Sequence, residues 1–124
     1  MKLMEDFMQA FPQIDGVYNG ADTVAIGAAQ VVLASGKKGK IAITTADFQI
    51  DTEKFIRDGV ISATVVQQTV IIGRWGVRAA INTLEKRDVP KALWTPLLLV
   101  TSADVDKIDL SSVRAPVGWK PPTR

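Results

Sequence analysis

Two polar side chains fall where this chain should leave the strands of a parallel sheet, and both are of types that recognise hydroxyl groups. Asp47 lies in the loop Ala46-Asp47-Phe48-Gln49-Ile50, and Gln67 closes the β-branched stretch from Ile61 to Gln68. A carboxylate accepts hydrogen bonds from two vicinal hydroxyls at once, whereas a primary amide both donates and accepts, so the pair suits a small polyhydroxylated molecule such as a sugar. In open α/β sheets, ligands bind outside the carboxyl ends of the strands. Loops after strands are polar for other reasons too, so the pair gains weight only from the elements around it.

Little else in the composition offers reaction chemistry. The 124 residues include no histidine and no cysteine, which removes the commonest general base, the commonest metal ligand, thiol nucleophiles and disulfides together. Asp47 has no visible partner for acid and base roles. The expectation is therefore a binding module rather than an enzyme, with no cofactor and no metal. The net charge of +2 is too small for a nucleic-acid footprint, and Lys37, Lys38 and Lys40 form the only dense basic group, so no nucleic acid is expected as a partner. Gly36-Lys37-Lys38-Gly39-Lys40 is not a phosphate loop, because a strand follows it where that motif requires a helix. A phosphorylated receiver with Asp47 as acceptor would need an acidic pair for magnesium and a lysine beyond a later strand; Asp22 offers one carboxylate, and no such lysine follows the third strand.

The elements that must position Asp47 and Gln67 follow from periodicity. Leu3, Met4, Phe7, Met8 and Phe11 recur at helical spacing over residues 2–11, with Pro12 as the stop. A strand spans Ile14 to Tyr18 and ends in the turn pair Asn19-Gly20. Asp22 is placed to cap an uncharged helix from Thr23 to Ser35, stopped by Gly36, whose small residues Gly27, Ala28 and Ala29 suit close packing on a sheet. Thirteen residues are too few to cross a bilayer, and no direct membrane insertion is expected. A strand from Lys40 to Thr45, a helix capped by Asp51 and ending at Asp58 before Gly59, and the strand Ile61–Gln68 complete an alternation that specifies an α/β, Rossmann-like parallel sheet with right-handed crossovers.

Beyond Gln68 the pattern changes to a longer amphipathic helix, Val70 to Arg87. It carries Gly73, Val77, Ala80, Ile81 and Leu84 on one face and Arg74, Arg78, Asn82 and Glu85 on the other. Val89-Pro90 ends it, and Pro96 to Thr101 reads as a fourth strand. Residues 104–112 are ambiguous, and Pro116 to Arg124 read as irregular. Trp75 and Trp94 are expected to pack rather than to stack on a ligand. The N-terminal segment, interrupted by Glu5 and Asp6, is not expected to be a secretion signal.

In this order, Ile14-Asp15-Gly16-Val17-Tyr18, Asp22 with its Ala-Ile-Gly-Ala helix, Asp58-Gly59 with Ser62-Ala-Thr-Val-Val-Gln-Gln68, Gly73-Arg-Trp-Gly76 and Pro96-Leu-Leu-Leu-Val-Thr101 resemble the C-terminal part of the periplasmic sugar-binding proteins of ABC transporters, of the ribose-binding type. The resemblance runs from about Met4 to about Asp106. It implies a three-layer lobe of the periplasmic-binding-protein fold, incomplete here: residues 1–68 as part of the C-terminal ligand-binding lobe, residues 69–92 as a crossover helix that packs on a missing lobe, and residues 93–124 as a final strand and irregular tail. It further implies a periplasmic protein that binds a monosaccharide or polyol between two lobes and delivers it to a permease. Asp47 then matches the family's acidic sugar ligand and Gln67 a second ligand. Ala21 stands where the family often carries an amide ligand, and Ala46 stands where it carries an aromatic, with Phe48 following.

The resemblance also implies that helix 70–87 lacks its packing partner, which makes a homodimer through its apolar face the expectation. The effector-binding part of sugar-responsive transcription repressors shares the architecture and is the alternative. No helix-turn-helix or basic arm is present, and the ending Leu-Leu-Leu-Val-Thr-Ser-Ala-Asp looks more like the transport proteins.

Overall fold

The alternation read from the sequence becomes eight elements in a computed structural model of the chain, which describes residues 1–109 and Val113. They are α1 (Lys2–Ala10), β1 (Gly16–Tyr18), α2 (Asp22–Ala34), β2 (Ala42–Ala46), α3 (Ile50–Arg57), β3 (Ala63–Gln67), α4 (Thr69–Leu84) and β4 (Leu97–Thr101). The sheet order is β1-β2-β3-β4. β1 pairs parallel to β2 with Val17 beside Ile43, and β2 pairs parallel to β3 with Ala46 beside Val65. This is the α/β, mostly parallel architecture that the sequence led us to expect. The chain divides into two units, Met1–Val66 with Leu98–Ile108, and Gln67–Leu97 with Asp109–Arg124.

In the first unit the core is aliphatic. Ile43, Ile56, Ile61, Val32, Val66 and Val100 are fully buried, and β-branched side chains suit both the pleated strands and the helix faces against them. α2 packs on β2 and contacts both α1 and α3. Ala28 and Ala29 are buried as expected, but the space beside Gly27 is taken by Met1, whose backbone nitrogen would lie 3.2 Å from an added Cβ. The small residue there admits the start of α1, not the sheet.

The ends of α2 and α3 are closed by one device. After α2, Gly36 takes φ 67, and the amides of Gly36 and Lys37 donate to Leu33 and Val32 carbonyls. After α3, Gly59 takes φ 66, with the Gly59 and Val60 amides donating to Ile56 and Phe55. Both are Schellman closures that require a left-handed residue just past the helix. The starts differ from expectation. α2 begins at Asp22 itself, with Ala21 in the extended capping position and no side-chain cap. α3 begins after Gln49, so Asp51 lies inside its first turn rather than capping it.

On α3, Arg57 donates to Glu53 at 2.9 Å and also to Asp106 in the turn after β4. These bonds, Asp106 first and Glu53 second, raise the guanidinium above its already high ordinary pKa. In the same turn, Thr101 Oγ1 donates to Asp104 Oδ2 at 2.6 Å and the Thr101 amide donates at 3.3 Å. The Thr101 hydroxyl is the main cause that lowers the Asp104 carboxyl below its ordinary range.

In the second unit α4 buries none of its residues. Val77 is 63%, Ile81 45% and Leu84 82% exposed, so the apolar face read from the sequence lies open to solvent. Thr69 Oγ1 donates to the carbonyl of Val113. The helix ends at Leu84, earlier than expected, because Lys86 takes the left-handed position with φ 55 and the Lys86 and Arg87 amides close on Thr83 and Asn82. Trp94, expected to pack, is 88% exposed; the segment between α4 and β4 has no regular structure to shelter it. The expected irregular tail, Pro116 to Arg124, and residues 110–112 of the ambiguous stretch 104–112 lie outside the described residues.

The lowered Asp104 pKa gives stability a defined pH dependence. A carboxyl whose folded pKa is depressed contributes stability above its unfolded pKa and loses it as pH falls through the folded value. In acid titrations followed by circular dichroism, the stability gap between the parent chain and Asp104→Ala should be constant at neutral pH and close progressively below about pH 4; a gap that widens toward acid would contradict the assignment.

Candidate functional site

β1, β2 and β3 run parallel, so their carboxyl ends share one edge of the sheet, and the loops that leave this edge carry the expected site residues. Ala21 follows β1 as the residue preceding α2, half-buried and extended, with φ −156 and ψ 149. Its methyl group offers no hydrogen bond where an amide would. Asp47 is the first residue after β2, half-buried. Gln67 is the last residue of β3, exposed, and the first residue of the second unit.

The backbone at Asp47 is unusual. Its φ is 93, in a region that L residues adopt rarely and at a cost of order 1–3 kcal/mol. Two bonds to β3 impose this geometry: the Asp47 amide donates to the Val65 carbonyl at 3.0 Å, and the buried Thr64 hydroxyl donates to the Asp47 carbonyl at 2.9 Å. The strand ladder thus runs one residue past β2 and turns the chain sharply. Phe48 then enters the core, 5% exposed, which forces Asp47 and Gln49 outward on either side of it.

Beyond Phe48 the loop is held by a residue that the sequence suggested for another task. Asp22 is fully buried, and its Oδ2 accepts the Gln49 amide at 2.7 Å, instead of capping its own helix. The carboxylate therefore joins the loop after β1 to the loop after β2, which places Ala21 and Asp47 in neighbouring, mutually braced segments. The other polar groups at this edge serve the framework as well. Asn19 is buried and sends both its backbone amide, at 2.9 Å, and its side-chain amide, at 3.3 Å, to the Thr44 carbonyl. Sequence inspection missed Thr64 and Gln49 because neither type announces a long-range hydrogen bond; the available signal for Asp22 was its uniqueness as the one charge at the head of an uncharged helix.

Chemically, this edge presents acceptors and amides but no proton-transfer couple. Among the described residues no group of three acidic, histidine or cysteine side chains could hold a metal ion, and no helix is long and apolar enough to cross a membrane. The Asp47 carboxyl lies on a braced loop at the edge where open α/β sheets receive ligands.

The chain belongs to the periplasmic binding protein domain family, which its residues 1–88 match; the family is one of binding proteins and not of enzymes. Among its relatives is the ribose import binding protein of Bacillus subtilis, 35% identical over 82% of this chain and 32% of that protein. The D-allose-binding periplasmic protein of Escherichia coli is 33% identical over 60% of this chain and 24% of the relative. In three dimensions, an ABC transporter solute-binding protein from Agrobacterium vitis with bound D-fucose superposes with a TM-score of 0.83 at 29% identity, covering 90% of this chain and 39% of that one. The chain thus spans about a third of the length of the curated relatives it matches.

Strain at Asp47 predicts an inverted substitution series. Glycine takes positive φ without steric cost, so Asp47→Gly should be about 1 kcal/mol more stable than Asp47→Ala in urea denaturation, a comparison from which the loss of the carboxylate cancels. Equal stability, or a more stable alanine variant, would show that the backbone there relaxes freely.

Proposed function

We propose that this chain is the part of a sugar importer's solute-binding protein that supplies one wall of the ligand cleft, and that it takes up a monosaccharide or polyol for delivery to an ABC permease. The observation that carries the reading is Asp47: a carboxylate fixed at φ 93, at the edge where parallel sheets receive ligands, in a chain whose relatives are import binding proteins for ribose, D-allose and D-apiose. In this reading Asp47 accepts hydrogen bonds from two adjacent sugar hydroxyls and Gln67 gives and accepts a further pair. Ala21 forms a small apolar patch where an amide would add polar contacts, which favours a ligand with a less hydroxylated or bulkier edge on that side. The periplasm is the compartment in which such a protein meets its permease, and the relatives' names support it.

Isothermal titration of the folded chain against pentoses, hexoses and sugar alcohols tests the reading. Binding is expected for at least one class, and Asp47→Ala or Gln67→Ala should each weaken it tenfold or more, which corresponds to about 1.4 kcal/mol. Binding that survives both substitutions would sink the assignment of these two residues.

The reading extends to self-association. α4 leaves Val77, Ile81 and Leu84 exposed and buries nothing. A second copy of this chain offers the same apolar stripe, and two such stripes satisfy one another in an isologous dimer. Sedimentation equilibrium should show a dimer that Ile81→Glu returns to monomer; a monomer at all concentrations of the parent chain would refute the pairing.

A further inference from the structure

We propose that Asp22 is the positioning residue of the binding edge: its buried carboxylate, by holding the Gln49 amide, sets the conformation in which Asp47 presents its own carboxylate. The proposal rests on the reading of Asp47 as a ligand group, and deepens it.

Several bonds pin the loop. Two tie the residue itself to β3, the Asp47 amide to Val65 and the Thr64 hydroxyl to the Asp47 carbonyl. They fix where Asp47 begins, and the buried Phe48 ring directs the chain beyond it. At Gln49 the loop is joined to the head of α2, because Asp22 Oδ2 accepts the Gln49 amide at 2.7 Å.

The bond is not an ordinary helix cap. In an ordinary capping box the third residue of a helix returns a side-chain acceptor to the amide of the capping residue. Here Gln49 caps α3 and the third residue is Thr52, fully buried, whose hydroxyl finds no partner among the described residues. The acceptor comes instead from the first turn of a different helix. Asp22 is 0% exposed, and its second oxygen, Oδ1, is also without a partner among the described residues. A buried carboxylate with one satisfied oxygen is costly to keep, and the positive end of α2 offsets that cost only in part. What the arrangement secures is geometry: the heads of α2 and α3 are locked together, and with them the loops that carry Ala21 and Asp47.

Amide exchange by NMR on the isotope-labelled chain tests this without any ligand. In Asp22→Ala the Gln49 amide should exchange at least tenfold faster, and the Asp47 Cα shift should move toward that of an ordinary negative-φ residue. The Ile43 and Val66 amides, in the middle of β2 and at the end of β3, should keep their protection. Asp22→Asn retains an oxygen acceptor of weaker charge and should fall between the two, and it carries the test alone if the alanine variant does not fold. Unchanged Gln49 exchange and an unchanged Asp47 shift would overturn the proposal. So would an equal loss of protection at Ile43 and Val66, which would make Asp22 a support of the whole fold. The panel of pentoses, hexoses and sugar alcohols, added at millimolar concentration to the same samples, separates this from the sugar reading: spectra of the parent chain that respond to none of them would count against ligand binding, while the exchange rates at Gln49 would still decide the role of Asp22.

Discussion

The bond from the Gln49 amide to the buried Asp22 carboxylate joins the loops after β1 and β2 at the carboxyl edge of the sheet. Each parallel strand must hand the chain to a helix, and each helix begins with amides that have no partner within it. Usually every helix start solves this separately with its own side-chain cap. Here neither α2 nor α3 has one, and a single carboxylate at the head of one helix serves the start of the other. The two helix heads cannot move apart without exposing a buried charge and an unpaired amide together.

That coupling explains why Asp47 can hold an unfavourable backbone. A strained residue persists only where its surroundings over-determine it, and the parallel pairing of β2 with β3 supplies the upstream bonds while Asp22 supplies the downstream one. Phe48 adds a third restraint of a different kind, because burying an aromatic ring fixes the direction of the chain on both sides of it. The result is a residue whose backbone position is set by the strand, the buried ring and the neighbouring helix head together.

The second unit obeys a different logic. α4 has the amphipathic pattern of a packed helix and yet buries no residue, and Trp94 lies 88% exposed beside an irregular segment. The chain covers about a third of its relatives' length, so half-satisfied surfaces belong to what this stretch of sequence encodes.

The sequence by itself determined the alternation of strands and helices, the parallel sheet and the family, because hydrophobic period, turn residues and the glycines at Gly36 and Gly59 are local signals that need no tertiary partner to be read. It also located Asp47 and Gln67, since the end of a strand is a local event. Element boundaries shifted by one to three residues, as at α4, where Lys86 takes a left-handed conformation that its side chain does not advertise. Only the tertiary structure decided the use of Asp22. An acidic residue at a helix head reads as a cap for that helix, and its true partner lies 27 residues away across the sheet edge. Long-range hydrogen bonds of this kind depend on where two loops meet in space, and residue type alone carries no record of that meeting.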